Sequence, residues 1–284
     1  MGINVLSLFD GISCGQIALE RAGIELDNYF ASEIDKYAIQ VTQKNYPNTI
    51  QLGDVSQIKG NDLPRIDLVI GGSPCQGFSF AGKQLNFDDP RSKLFFEFVR
   101  LLEETKPKHF LLENVKMKKK YQDTISQYLD VEPVKINSSL FSTQNRERLY
   151  WTNIPILKFD DVNDDCFDGY LYRLGHGYIK DEIKLFNMYP ALAAQSPATK
   201  YRIVLDPQKA IDALKSNNLN LLRKGSVLTR SATPEECEEF QTLPKGYTSI
   251  LKKGQRYKCI GNGWTVDVIA HIFRGLLDEN VGDN

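Results

Sequence analysis

Short apolar segments alternate with helical segments along residues 1–157, and this alternation restricts the possible folds more than any other feature. Residues 3–9, 67–70 and 109–112 have the pattern of buried strands, and residues 92–105 have helical periodicity. Strands that alternate with helices form βαβ units, in which the strands run parallel. The pattern predicts an α/β fold with a doubly wound, mostly parallel sheet. Ligands of such sheets bind at the carboxyl ends of the strands.

The pattern changes near residue 158, and regular structure resumes in the last part of the chain. Thr233-Pro234-Glu235-Glu236 is typical of a helix start, with a capping residue, a proline and two acids. Residues 264–277 are apolar at helical spacing and predict a last helix. We expect a larger domain of residues 1–157 and 229–284, and a small separate region of residues 158–228.

Charge and cysteine content exclude several classes of protein. Lys plus Arg number 35 and Asp plus Glu number 36, so a strongly basic coat for nucleic acid is absent. The five cysteines form no CxxC pair, which argues against a zinc site and against a secreted disulfide framework. Neither a leader segment nor an apolar stretch of the ~20 residues that a membrane span needs is evident. We expect a soluble, cytoplasmic protein.

A polar turn, Phe9 to Gly15, follows the first strand and opens a helix. Its glycines allow close approach of the backbone to a ligand, and a helix N-terminus favours polar or anionic groups. Glu33 ends the second strand, where an acid can accept hydrogen bonds from ribose hydroxyls. Asp54, after the third strand, could accept from an adenine amino group. Nucleotide-type binding and a merely structural turn both remain open at this point.

Three further segments carry reactive side chains at predicted strand ends. Cys75 follows Pro74 among glycines, directly after a buried strand, and such an exposed cysteine can serve as a nucleophile. Glu113 follows the apolar strand at residues 109–112, although an ordinary strand-end acid would look the same. Arg146 and Arg148 alternate within a strand-like segment, so we expect them to share a face.

These motifs, taken together and in this order, resemble those of the DNA (cytosine-5)-methyltransferase family over nearly the whole chain. The Pro74-Cys75 loop, Glu113-Asn114-Val115 and the Gln-x-Arg-x-Arg pattern of residues 144–148 are the most specific. Gly261-Asn262-Gly263-Trp264 is similar to the closing cofactor motif of the family. The resemblance implies a Rossmann-like methyltransferase domain with a small target-recognition domain, the latter at residues 158–228.

The resemblance implies S-adenosylmethionine as the cofactor and requires no metal. The positions that match the cofactor site of the family are Phe9, Asp10, Gly11, Ile12, Cys14, Glu33, Ile34, Asp54, Val55, Gly72, Pro74, Leu94, Asn262, Gly263 and Trp264. Ser7 replaces the usual Asp, and Ser13-Cys14 replaces the usual glycine pair, which leaves the contacts to the methionine end of the cofactor open. The residues at these positions, together with Trp264, resemble those of the catalytic domains of the animal de novo methyltransferases.

The resemblance also implies the roles of the reactive side chains. Cys75 would attack C6 of a flipped-out cytosine, and Glu113 would hold the ring at N3 and the exocyclic amine. Arg146 and Arg148 would lie near O2 of the base and near the nucleophile. The loop of residues 77–91 would close over the base.

The implied partner is double-stranded DNA, with a companion restriction endonuclease at the level of the system. The candidate DNA contacts are Ser73, Gln76, Ser79, Asn114, Gln144, Arg202 and Arg230. Arg230 could instead support the recognition region structurally. We expect a monomer, located in the cytoplasm or, in a eukaryote, in the nucleus.

Two other functions compete with DNA methylation. One branch of the family modifies transfer RNA and carries a Cys-Phe-Thr segment in the recognition region, whereas this chain has Cys166-Phe167-Asp168 there. The other alternative is a catalytically silent paralogue that binds DNA or regulates another protein. The presence of Cys75, Glu113 and both arginines argues against it.

Overall fold

The computed structural model describes residues 2–73, 93–159, 169–173, 182–186, 189–190, 201–223 and 227–278. In chain order, its elements are β1 (Ile3–Leu8), α1 (Cys14–Ala22), β2 (Leu26–Ser32), α2 (Lys36–Asn45), β3 (Ile50–Gln51), β4 (Leu68–Gly71), α3 (Lys93–Thr105), β5 (His109–Val115), α4 (Lys119–Leu129), β6 (Val134–Asn137), β7 (Gln144–Asn145), β8 (Glu147–Thr152), β9 (Gly169–Arg173), β10 (Glu182–Phe186), β11 (Tyr189–Pro190), β12 (Tyr201–Val204), α5 (Pro207–Lys215), β13 (Thr229–Arg230), α6 (Pro234–Phe240), α7 (Lys253–Asn262) and α8 (Val266–Asp278). None of these described helices has the length and apolar character needed to cross a membrane.

The main sheet has seven strands in the order β3-β2-β1-β4-β5-β8-β6. The first five strands of that order run parallel, and β8 pairs antiparallel with both β5 and β6. The predicted α/β fold with a mostly parallel sheet is therefore confirmed. The order of the strands reverses at β1, because β2 and β3 lie on one side and β4 and β5 on the other. Ligand sites of such sheets form at the carboxyl ends beside this reversal.

Buried apolar side chains cover the sheet and explain why its strands have continuous apolar sequences. Helix α3 contributes Phe95, Phe98 and Leu101 to one core cluster, where they pack with strand residues such as Leu6 and Val69. Strands buried on both faces lack the alternation of polar and apolar residues that marks a half-exposed strand.

Side chains cap the first turns of two helices, and the helix at Thr233 begins where the sequence predicts it. Asp35 caps α2 by accepting a hydrogen bond from the backbone N–H of Tyr37 at 2.9 Å. Thr233 and Glu236 form a reciprocal capping box at the start of α6. The predicted helices at 92–105 and 264–277 are confirmed as α3 and α8.

Two details of the predicted strands are wrong. Strand β5 continues to Val115, three residues beyond the predicted end, so Glu113 lies inside the strand and is paired with Tyr150 of β8. The strand-like segment around residues 144–151 is divided into β7 and β8, with Arg146 between them. Pairing with β8 extends β5, because this antiparallel neighbour supplies hydrogen-bond partners beyond the edge of the parallel sheet.

The chain divides into two compact units. The first consists of Met1–Ser138, Glu147–Asp160 and Trp264–Asn284, and the second of Ser139–Arg146 and Asp161–Gly263. The second unit contains a four-stranded antiparallel sheet, β10-β9-β12-β13, and a small apolar cluster that α5 shares with β12. It also contains α6 and α7. The domain boundaries drawn from the sequence stay a prediction.

Within the first unit, α8 packs against α1, and a glycine allows α8 to approach the chain segment after β8. A Cβ atom at Gly275 would lie 1.9 Å from the carbonyl oxygen of Pro155. We therefore expect Gly275→Ala to lower the free energy of unfolding by about 1–3 kcal/mol, the usual range for overpacking. Urea denaturation followed by circular dichroism measures this change.

Gly254, in the first turn of α7, provides the matched control. A Cβ atom there would meet no other atom within 4 Å. Gly254→Ala should leave stability unchanged or raise it by up to about 1 kcal/mol, since alanine favours the helix. Equal stability losses in the two variants would contradict the close approach at Gly275.

Candidate active site

The register of the parallel strands places four predicted site residues in one row across the carboxyl edge. Leu8 is paired with both Ser32 and Gly71, and Gly71 is paired with Leu112. The residues that follow these paired positions therefore lie side by side. Across the sheet their order is Glu33, Phe9, Gly72 and Glu113. The sheet thus brings together residues that lie far apart in the sequence.

The turn after β1 has an unusual backbone and is tied to the end of β2. Phe9, Gly11 and Ser13 have φ values of 58°, 61° and 56°, in the left-handed region. The backbone N–H of Gly11 donates to Oε2 of Glu33 at 2.8 Å, and that of Asp10 donates to the carbonyl oxygen of Ser32 at 3.0 Å. Glu33 therefore holds the turn in place as well as ending the strand.

Asp10 points inward, toward hydroxyl groups. Ser13 Oγ donates to Oδ2 of Asp10, and Tyr29 Oη donates to Oδ1 at 2.8 Å. Burial raises the pKa of Asp10 to about 6, although hydrogen bonds from Ser13, Ser7 and Tyr29 act in the opposite direction. Ser7 and Ser13, the two departures from the family pattern, thus both interact with this carboxyl group.

Tyr29 was not singled out by the sequence, because a tyrosine in a strand looks like ordinary core. Its hydroxyl reaches Asp10 past Gly15 of α1, where a Cβ atom would lie 2.7 Å from Tyr29 Oη and 2.5 Å from a side-chain methyl of Ile70. The glycine therefore makes room for the bond between Tyr29 and Asp10. Ile12, Cys14 and Val55, which the sequence predicts to contact the cofactor, are buried, and their contact with a cofactor stays a prediction.

The ends of β2 and β3 present two carboxylates and an exposed apolar side chain. Glu33 Oε1 accepts from the backbone N–H groups of Ile34 and Asp35, both at 2.7 Å. Ile34 is 74% exposed, which is unusual for a large apolar residue beside a buried strand. Asp54 Oδ1 accepts from both the N–H and the hydroxyl of Ser56, and these bonds lower the pKa of Asp54.

These features fit the adenosine part of a cofactor. The Ser32 hydroxyl donates to the carbonyl oxygen of Gly53 at 2.8 Å, which draws the residues before Asp54 toward the end of β2. An apolar side chain and two acceptor groups then lie along one edge. Such a surface suits an apolar ring with an amino group and a ribose with two hydroxyls. Leu94, near the start of α3, is half-buried against the core.

Glu113 forms the centre of a second cluster in the same unit. Its side chain is 11% exposed, and its Oε1 lies 3.0 Å from Nε of Arg148 in an ion pair. The indole N–H of Trp264 donates to the other oxygen, Oε2, at 3.2 Å. A buried carboxylate needs partners of this kind, because an unpaired charge in the interior is strongly unfavourable.

Asn114 connects β5 to the end of β4. Its side-chain N–H group donates to Oγ of Ser73 at 3.1 Å and to the Ser73 carbonyl oxygen at 3.4 Å. Both side chains are buried. Ser73 directly precedes the predicted nucleophile loop, so Asn114 fixes the point from which that loop starts. Pro74, Cys75, Gln76, Ser79 and the predicted lid at 77–91 lie outside the described residues.

Arg146 and Gln241 cap the carbonyl end of α7 in the second unit. Nη2 of Arg146 donates to the carbonyl oxygens of Gly263 at 3.0 Å and Gly261 at 3.3 Å. The side-chain amide of Gln241 donates to the carbonyl oxygens of Ile260 at 3.1 Å and Gly263 at 3.4 Å. Helix ends leave carbonyl groups without intrahelical partners, and these side chains satisfy them. The backbone of the Asn262-Gly263 motif is therefore held by a residue of the Gln-x-Arg-x-Arg pattern.

The expectation that Arg146 and Arg148 share the face of one strand is wrong, because the strand is interrupted at Arg146. Arg146 binds backbone carbonyls, whereas Arg148 pairs with Glu113.

Gln144 is fully buried, and its amide nitrogen and oxygen find no hydrogen-bond partner among the described residues.

Two arginines that were predicted to contact DNA make structural bonds in the second unit. Arg202 is buried, and its guanidinium donates to Oγ1 of Thr229 at 2.6 Å and to the Thr229 carbonyl oxygen at 2.8 Å. Arg230 binds both carboxylate oxygens of Glu236 at 2.7 Å. Base contacts by either arginine stay a prediction.

No cluster of three or more metal-ligating side chains occurs in the part of the chain that is described.

Known proteins resemble this chain in sequence and in structure. The family model described as C-5 cytosine-specific DNA methylase matches residues 3–155 and 205–278. The type II methyltransferase M1.ScrFI of Lactococcus lactis subsp. cremoris is 30% identical over 97% of this chain and 78% of its own length. The orphan methyltransferase M.SPRI of Bacillus phage SPR is 36% identical over 86% of this chain, which spans 60% of that protein. A solved structure of a Spodoptera frugiperda DNMT2 mutant has a TM-score of 0.70 at 18% identity, covering 97% of this chain and all of that one, and shares the fold.

The raised pKa of Asp10 predicts a pH-dependent contribution to stability. Its folded-state pKa of about 6 lies above the ordinary value of 3.8, so the folded protein retains a proton that the unfolded chain releases. This contribution is complete below the unfolded pKa and is lost as the pH rises through about 6. Between about pH 5 and pH 7.5, wild type should lose about 1 kcal/mol of stability relative to Asp10→Asn. Denaturant titrations at each pH measure the difference, and Asp62→Asn, at an exposed position, should track wild type.

The cap on α7 predicts a loss of stability when its donor is removed. Arg146→Met leaves the carbonyls of Gly261 and Gly263 without this donor and should lower the free energy of unfolding by about 1–3 kcal/mol. Arg274→Met, at an exposed position on α8, serves as the control and should change stability by less than about 0.5 kcal/mol. Similar urea midpoints for the two variants would argue against the cap.

Proposed function

The chain belongs to the C-5 cytosine-specific DNA methylase family and is a DNA cytosine-5 methyltransferase by that membership; on this premise, we propose that it methylates C5 of a flipped-out cytosine in double-stranded DNA through a covalent bond to Cys75. The observation that carries the proposal is the position of Glu113. Its largely buried carboxylate lies at the carboxyl edge, next to Gly72 in the row of strand ends and beside the start of the Pro74-Cys75 loop.

The cofactor of the proposed reaction is S-adenosylmethionine, which supplies an electrophilic methyl group when bound. Glu33 would accept from the ribose hydroxyls with the lone pairs that its backbone donors leave available. Ile34 would pack against the adenine ring, and Asp54 would accept from the adenine amino group through the oxygen that Ser56 does not use. The exposed Ile34 between two acceptor groups supports this arrangement.

The chemistry requires electrons at C5, because cytosine is a weak nucleophile there. The Cys75 thiolate would form a bond to C6, and the electrons of the C5–C6 double bond would become available at C5. C5 would then form a bond to the methyl group that S-adenosylmethionine supplies, with S-adenosylhomocysteine as the second product. Loss of the C5 proton to water restores the double bond and releases Cys75 as thiolate.

Glu113 and Arg148 would stabilise the charge that this attack creates. A carboxylate has about four lone-pair sites, and the hydrogen bond from Trp264 uses one of them on Oε2, whereas Nε of Arg148 lies beside Oε1 in an ion pair without a hydrogen bond. The remaining sites could accept a hydrogen bond from the exocyclic amine and would lie beside N3 of the base. Arg148, fixed by the ion pair, adds positive charge on the O2 side of the ring. A base inside the duplex cannot reach these groups, so it must leave the stack at a cost of a few kcal/mol.

We propose that the region of residues 158–228 recognises the DNA sequence. Polar side chains of that region would contact base edges in the major groove, as sequence-specific recognition requires. A companion restriction endonuclease, where one is present, would cut the same sequence unless it is methylated. The protein is proposed to act as a monomer in the compartment that holds the DNA.

The test supplies purified protein with isotope-labelled S-adenosylmethionine, unmethylated genomic DNA and total transfer RNA. Both polymers are digested to nucleosides, and labelled methyl groups are identified by mass spectrometry. We expect label in 5-methyldeoxycytidine. Label in 5-methylcytidine would instead identify an RNA methyltransferase, and the absence of label in both would indicate a catalytically silent paralogue.

The nucleophile is tested in the same assay. Cys75→Ser should lower kcat by at least about 1,000-fold, since removal of a nucleophile eliminates the covalent route. The variant should still bind DNA and S-adenosylmethionine with nearly wild-type affinity. Cys259→Ser, which removes a buried cysteine of α7, is the matched control and should retain activity. Methyl transfer by Cys75→Ser at the wild-type rate would overturn the mechanism.

A further inference from the structure

We propose that Trp264 is a positioning residue for Glu113: its indole N–H fixes Oε2 of the carboxylate, and Gly72 leaves the space that this bond requires. The inference rests on the proposed function, in which Glu113 holds the target base. It gives Trp264 a role in the chemical step, in addition to the contact with the cofactor that the sequence predicts.

The geometry around Glu113 leaves its carboxylate little freedom. Arg148 lies against Oε1 at 3.0 Å, and the indole of Trp264 donates to Oε2 at 3.2 Å. Nε of Arg148 forms no hydrogen bond with a described residue, so the ion pair attracts the carboxylate without fixing its rotation about the last side-chain bond. The hydrogen bond from Trp264 to the other oxygen restricts this rotation, and the orientation of the carboxylate plane decides whether two neighbouring atoms of a base can be bound together.

Gly72 supports this interpretation independently. A Cβ atom at Gly72 would lie 2.9 Å from Nε1 of Trp264 and 3.2 Å from Oε2 of Glu113, so it would press on both atoms of the hydrogen bond. The backbone of Gly72 is not in the left-handed region, so its conformation does not require glycine. The absence of a side chain here therefore serves the contact between Trp264 and Glu113.

Trp264 also lies at the start of the last helical segment, directly after Asn262-Gly263. Its neighbour Thr265 forms a hydroxyl–hydroxyl bond with Ser138 at 2.8 Å, which anchors the backbone of this segment to the end of β6. The indole is thus held from its backbone side and directed at Glu113. A residue with this placement links the start of this segment to the carboxylate that binds the base in the proposed function.

The chain contains only two tryptophans, and this allows a sharp test. Trp151 is fully buried, and its indole N–H donates to Oγ of Ser126 at 3.0 Å, away from Glu113. In a ¹⁵N-correlated spectrum of the full-length protein, Trp151→Phe leaves one indole signal, that of Trp264. Glu113→Gln should then shift the Trp264 indole proton upfield, because a neutral amide is a weaker acceptor than a carboxylate. An unmoved signal would overturn the proposal.

Kinetics provide the functional readout. Trp264→Phe keeps an aromatic ring but removes the donor, so kcat should fall about 10-fold while KM for S-adenosylmethionine changes less than about 3-fold. Gly72→Ala should lower kcat in the same direction, although both partner side chains are present. Trp151→Phe, which removes an indole donor elsewhere, should leave kcat within about 2-fold of wild type.

The outcomes separate this proposal from the proposed function. A wild-type protein that methylates neither DNA nor RNA refutes the function, and the shift of the indole signal still decides whether Trp264 holds Glu113. A Trp264→Phe variant with unchanged kcat but a greatly raised KM for S-adenosylmethionine would show that Trp264 serves the cofactor alone. That result would overturn the proposal and leave the proposed function intact.

Discussion

Parallel pairing on both sides of β1 is the constraint on which the candidate site depends. Leu8 is opposite Ser32 on one side and Gly71 on the other, and Gly71 is opposite Leu112. Because all these strands point the same way, the residue after each pair emerges at the same edge. A shift of one strand by a single residue would turn its side chains to the other face and would separate Glu113 from Gly72. The chemistry therefore depends on register before it depends on any side chain.

The carboxyl groups at this edge are held by different partners, and this difference suits different tasks. Asp10 is surrounded by hydroxyl groups, so burial dominates and raises its pKa to about 6. Glu113 has a guanidinium beside one oxygen and accepts a hydrogen bond from an indole on the other. Asp54 binds backbone and hydroxyl donors at the surface, which lower its pKa. Three acids near one edge thus occupy three distinct electrostatic environments.

The sequence was sufficient to predict the features that depend on local chemistry. Thr233 caps α6, and this helix begins where the capping residue and the proline after it predict. The apolar segments of β1, β4 and β5 also indicated the parallel sheet, since burial on both faces leaves a recognisable composition.

The features that the sequence could not reveal depend on partners far away in the chain. Arg146 binds backbone carbonyls, and every residue type has a backbone carbonyl, so no pattern of side chains could have identified its acceptors. Tyr29 is one aromatic residue among many in strands. Only the folded structure shows that its hydroxyl reaches Asp10 past Gly15. The extension of β5 past Leu112 depends on β8, which is more than thirty residues further along the chain. The residues that matched family motifs were easy to select, but their contacts had to be seen.

The contact between Trp264 and Glu113 joins residues 151 positions apart, and the ion pair between Arg21 and Asp267 joins residues 246 positions apart. Contacts of such long sequence separation form late in folding, because the loop that they close must first lose its conformational freedom. During synthesis, β1 to β5 can emerge from the ribosome and begin to pair while α8 is still untranslated. The Glu113 carboxylate then lacks its indole partner until Trp264 has been synthesised. The Glu113 cluster is therefore incomplete in the nascent chain until Trp264 is added, and α8 follows it and packs against α1.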